Sequence, residues 1–118
     1  EVITMYEYEN IDLLVGKTLS HIEATGAEIR FYCSDGNNYM LYHAQDCCES
    51  VTIEEIIGDL DDLIGTPITL ASEDVNRGNS GCETWTFYNI ATKKGHVTIR
   101  WYGESNGYYS ESVDFSKF

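Results

Sequence analysis

Ile11-Asp12-Leu13-Leu14-Val15-Gly16 returns forty-nine residues later as Leu60-Asp61-Asp62-Leu63-Ile64-Gly65, with apolar residues at the same spacing and glycine at the same end. A second match, Glu49-Ser50-Val51 with Glu111-Ser112-Val113, is offset by sixty-two, and each tripeptide stands just before an apolar segment. One order of elements therefore occurs twice: a helical turn, three strands, a loop ending in Glu-Ser-Val, a strand. The expected fold is mainly β, α+β only through two short helical turns, with two pseudo-repeated antiparallel meanders forming a sandwich or a strongly bent sheet. The copies cover about residues 10–57 and 59–118 of a chain whose 118 residues make one domain.

The local pattern agrees with this order. Residues 2–9 alternate between two faces, as a half-wet strand does. Asn10 can cap a turn in which Ile11, Leu14 and Val15 fall at i, i+3 and i+4 and plug one end of a sheet, and Gly16 ends it. Strands follow at 18–25 and 28–34, the second with Ile29, Phe31 and Cys33 on one face. After the turn Asp35-Gly36-Asn37-Asn38 come strands at 39–43 and 51–57. The second copy gives strands at 68–72, 83–91 and 96–102, a hairpin at Lys93-Lys94-Gly95, a polar loop at 74–81, and a closing segment from Tyr108. Trp85, Phe87, Trp101 and Phe115 are expected in the core.

Twenty acidic residues against seven basic ones give a net charge of −13. A chain so negative does not bind a phosphate backbone directly and favours a partner with a basic surface. Between Arg30 and Arg77 there is no Lys or Arg, while Glu54, Glu55, Asp59, Asp61 and Asp62 lie there with five other acids. One acidic flank is the expectation. No apolar run reaches the roughly 18 residues of a membrane span, and no basic segment followed by an apolar stretch opens the chain, so the expected location is cytoplasmic. The four cysteines lack the dense spacing of a secreted scaffold, and adjacent cysteines rarely bridge, so Cys47 and Cys48 are expected as thiols and Cys33 as a core residue.

The densest chemistry falls where the strand at 39–43 stops. His43, Asp46, Cys47, Cys48 and Glu49 are metal-capable or nucleophilic within seven positions. Pseudo-symmetry would set them across a cleft from Glu104, Asn106, Tyr108, Tyr109 and Glu111, and these ten residues are the candidate ligand or partner surface. His43 and Cys47 are the candidate metal ligands, with zinc as the metal such donors take. Neighbouring cysteines in an extended segment point to opposite faces, so only one would ligate beside His43. Catalysis is not indicated: Asp46 and Glu49 would raise a thiol pKa, no histidine is placed beside Ser50 or Ser112, and phosphate-binding glycine motifs are absent. Tyrosines near the loops suit recognition instead.

HAQDCCESV at 43–51, GDLDDLIG at 58–65, ETWTFY at 83–88 and TIRWYGESNGYYSESVDF at 98–115 together resemble an uncharacterised family of small bacteriophage and prophage proteins. The resemblance carries over no catalytic or ligand residue. It implies a viral setting in a host cell, where small acidic proteins act by occupying basic grooves of host machinery. The expected function is that of a non-enzymatic binding protein, an acidic inhibitor of a host defence or nucleic-acid-processing protein in an anti-CRISPR or other anti-defence role. The alternative is a metal or small-ligand pocket, a sponge or sensor, built on the loop from His43 to Glu49.

Overall fold

The computed structural model describes residues 7–118. Nine strands and two 3-10 turns follow one another as β1 (Glu7–Tyr8), a first turn (Ile11–Leu14), β2 (Leu19–Ala24), β3 (Glu28–Cys33), β4 (Asn38–Tyr42), β5 (Ser50–Ile57), a second turn (Leu60–Leu63), β6 (Leu70–Arg77), β7 (Glu83–Thr92), β8 (Gly95–Glu104) and β9 (Asp114–Lys117). All strand pairs are antiparallel, in a five-stranded sheet ordered β1-β9-β4-β3-β2 and a four-stranded sheet ordered β5-β8-β7-β6. The mainly β architecture of two pseudo-repeated meanders is as expected. Of the strand expected at 2–9, residues 2–6 lie outside the described residues.

The two meanders exchange their last strands. β5 leaves β4 and pairs with β8, while β9 leaves β8 and pairs with β4. Each sheet thus holds three strands of one half and the closing strand of the other, with β1 added beyond β9 in the first. The halves also meet about a local pseudo-twofold: Gly16 N–H donates to Ile68 O at 2.8 Å, and Gly65 N–H, forty-nine residues later, donates to Leu19 O at 2.9 Å. Thr18 bridges to Pro67, its own counterpart. Gly16 and Gly65 both take φ of +89°, a left-handed conformation that a side chain would oppose.

Alternation decides which side chains enter the core. Ile29, Phe31 and Cys33 of β3 are buried, as are Val97, Ile99 and Trp101 of β8, and both sheets contribute to one apolar cluster with Leu14 and Leu63 from the 3-10 turns. Fully burying each such side chain contributes roughly 1.5–3 kcal/mol. Three expectations need correction. Val15 is 48 % exposed, because the turn ends at Leu14 and aims Val15 outward. Trp85 and Phe87 are only half-buried, because β7 sends Thr84, Thr86, Tyr88 and Ile90 inward. Asp74–Arg77 is not a loop: it continues β6, with Asp74 opposite Phe87 and Arg77 opposite Thr84. An edge strand tolerates that polar composition because one side of it stays in water.

Candidate functional site

The two exchanged strands require two crossovers, residues 43–49 and 105–113, and both run from sheet to sheet at the same end of the molecule. Ser50 at the end of one pairs with Glu104 at the start of the other. His43 Nδ1 lies 2.7 Å from Ser112 O, and Ala44 N–H donates to Asp114 Oδ2 at 3.1 Å. The candidate loops are therefore neighbours.

Their central carboxylates, however, face inward. The side chains of His43 and Glu49 are 5 % and 0 % exposed. Glu49 accepts from His43 Nε2 at 2.8 Å, from Asp46 N–H at 2.8 Å and from Cys47 N–H at 2.9 Å. Desolvation alone would raise its pKa, but the Cys47 amide, the His43 ring and the other amides outweigh it and hold the carboxyl down at about 2. Glu111, its counterpart, accepts from Thr84 Oγ1 at 2.6 Å and from Ser105 Oγ. A β-carbon at Gly103 would come within 2.9 Å of Glu111 O, so the second crossover packs directly on β8. Each repeated Glu folds its own loop.

This arrangement engages the candidate metal ligands elsewhere. Both ring nitrogens of His43 are taken, one by Ser112 O and one by Glu49. Cys47 and Cys48 are joined in a disulfide, contrary to the thiols expected. The expectation rested on the rarity of bridges between adjacent cysteines; here the pair lies in a loop that Glu49 curls by drawing in the amides of Asp46 and Cys47. Among the described residues no three His, Cys, Asp or Glu are grouped so as to hold a metal ion. Cys33 is a buried free thiol, raised in pKa by that burial, and Cys82 is half-buried. Of the ten candidates, Asp46, Cys47, Cys48, Glu104, Asn106 and Tyr108 stay outside, the last 90 % exposed, with Tyr109 half-buried.

The acidic residues from 35 to 74 do not form one flank. Glu54 and Glu55 sit on β5 and Glu73 and Asp74 on β6, the two opposite edges of the four-stranded sheet. Asp35 lies at the β3–β4 turn, where a hydrogen bond from Lys17 Nζ at 2.8 Å and the Asn37 amide hold its carboxyl at about 2. Several have local work. A bulge in β5 sets Glu54 and Glu55 both against Arg100, whose Nε and Nη2 lie 2.7 and 2.8 Å from them. Asp59 Oδ1 accepts from Asp61 N–H and caps the second 3-10 turn, where Asp61 is exposed and the Asp62 carbonyl accepts from Thr92 Oγ1. On the outer face beside Arg100, the Trp85 and Tyr102 rings lie 5.2 Å apart, and Tyr102 donates to Glu83 at 2.5 Å, a bond that raises its pKa.

Carboxylates gather instead where sequence reading did not place them. Between β6 and β9 the sandwich stays open, and a cavity of about 460 Å³ is lined by Glu9, Asp12, Glu73 and Asp114 with Ile11, Val113 and Phe115 among its apolar walls. Among the described residues no Lys or Arg lines it. Tyr88 at its inner wall donates to Glu73 Oε2 at 2.5 Å, and burial first, then this bond, pushes its phenol far up in pKa. The four acids come from three separate segments, 9–12, 71–73 and 113–115, so no sequence window contains the site; only the strand exchange assembles it.

No helix among the described residues is long and apolar enough to cross a membrane. No curated protein and no solved structure matches the chain. Residues 12–115, from the first 3-10 turn into β9, match the family described as Domain of unknown function (DUF7448), and the chain belongs to that family.

Proposed function

We propose that this is a non-enzymatic binding protein that engages a basic surface of a protein partner at the open seam between β6 and β9. The observation that carries the reading is the cavity there, with Glu9, Asp12, Glu73 and Asp114 on its walls and no Lys or Arg among the described residues that line it. Carboxylates around a concave, low-dielectric wall focus their field outward, and a net charge of −13 adds to it at long range. Lysine or arginine side chains of a partner meet opposite charge at the rim and apolar walls for their stems. The resemblance to bacteriophage proteins makes a host defence or nucleic-acid-processing protein in the host cytoplasm the partner class to test first, with inhibition of it as the role.

The experiment is capture of host proteins on the immobilised chain at stepped salt, beside the variant E9Q/D12N/E73Q/D114N. Each substitution removes charge while keeping an acceptor oxygen. A basic partner should be released from the variant at lower salt than from the wild type. Capture of the same proteins up to the same salt by both would sink the reading.

A further inference from the structure

The pseudo-twofold creates two seams between the sheets, and they differ. In one, Ile53 N–H of β5 donates to Gly26 O at the tip of the β2–β3 hairpin, 2.9 Å away, and closes the gap. Among the described residues no such bond runs from β9 to the β6–β7 hairpin. Two adjoining cavities lie there instead, of about 460 and 220 Å³, which share Glu73 and Val113. Along them runs β6, paired with β7 on one side and, among the described residues, with no strand on the other, where its first residues lie against the first 3-10 turn.

We propose that this free edge of β6 is a strand-pairing site for an extended, lysine- or arginine-bearing peptide segment of the partner. The inference rests on the basic-partner reading above and names the mode of binding. An edge strand offers a row of backbone N–H and C=O groups to an added strand. Glu73, Val75 and Arg77 share the inward face with buried Tyr88, Thr86 and Thr84 opposite them, yet all three are exposed, because β6 projects beyond the cover of the other sheet. Val75, 49 % exposed, is an apolar contact for an incoming side chain.

Charge selects the occupant. Glu73 and Asp74 are successive residues and point to opposite faces. A second copy paired antiparallel about Val75 would set Glu73 opposite Arg77, but it would also bring its own Glu9, Asp12 and Asp114 to the seam, and two chains of net charge −13 repel. A strand carrying two successive cations sets one beside each acid. The further acids Glu9, Asp12 and Asp114 extend the field along the first cavity.

The probe is an acetylated, amidated peptide of about ten residues with paired lysines among valine and threonine, together with the same sequence N-methylated at alternate backbone amides. Binding is read by fluorescence anisotropy and by amide hydrogen exchange of residues 70–77. The unmodified peptide should bind at low salt and slow exchange along β6, and N-methylation should weaken it at least about tenfold. E73Q/D74N should weaken it about fivefold at low salt and leave binding unchanged at high salt. Equal binding of both peptides without protection of β6 would overturn strand pairing and leave the basic-partner reading standing. Binding of neither peptide at low salt would overturn both.

Discussion

Glu49 and Glu111 occupy the same place in the two halves and do the same work with different partners. Each is a buried carboxylate that gathers the crossover around it. For Glu49 the consequence is a pH dependence with a definite sign. Its folded-state pKa of about 2 lies below the ordinary 4.5, so its contribution is fully present above about pH 4.5 and fades as the pH falls toward 2. We expect the urea midpoint of the wild type to drop through that window and that of E49Q to start lower and change less. Parallel pH profiles for the two proteins would contradict this. His43 and Glu49, read from sequence as ligands, thus shape the loop, a role that no spacing rule separates from metal binding because the donor atoms are the same.

The two 3-10 turns are too short to be stable alone and exist because each buries a leucine. Leu14 and Leu63 are both 0 % exposed. Leu14→Ala and Leu63→Ala should each cost about 2–5 kcal/mol, and by a similar amount, as measured by urea unfolding. Val15→Ala, just past the first turn and facing water, should change stability by less than about 0.5 kcal/mol. A large loss for Val15→Ala, or a loss confined to one leucine, would contradict the equivalence of the turns. Element boundaries were legible wherever alternation was strong, as in β3, and β7 and β8 were found one and three residues short. The second half of β6 was not, since Asp74, Asn76 and Arg77 read as loop until β7 pairs with them.

Exchange of β5 and β9 ties the two sheets together, since neither half completes a sheet without the other. Both tryptophans lie on β7 and β8, so their fluorescence reports the four-stranded sheet. Amide exchange in β3 reports the other. The two probes should give one urea midpoint, as a single cooperative transition requires. Separated midpoints would show that the halves unfold independently. The same exchange opens the acidic seam, because it leaves β6 as an edge opposite β9.

The amino-acid sequence by itself determined the mainly β class, the doubled order of elements, the turns at Gly16 and Gly65 and most of the core. These follow from local causes: side-chain alternation, glycine at positive φ, and apolar spacing within one turn. Tertiary structure alone decided that the last strands change sheets, that Trp85 and Phe87 face out, and that acids placed on one flank by sequence divide between opposite edges. It also decided that Glu9, Asp12, Glu73 and Asp114 share a cavity. A strand pattern states which face of a strand is apolar but not which neighbour that strand will choose, and the site depends on the neighbour.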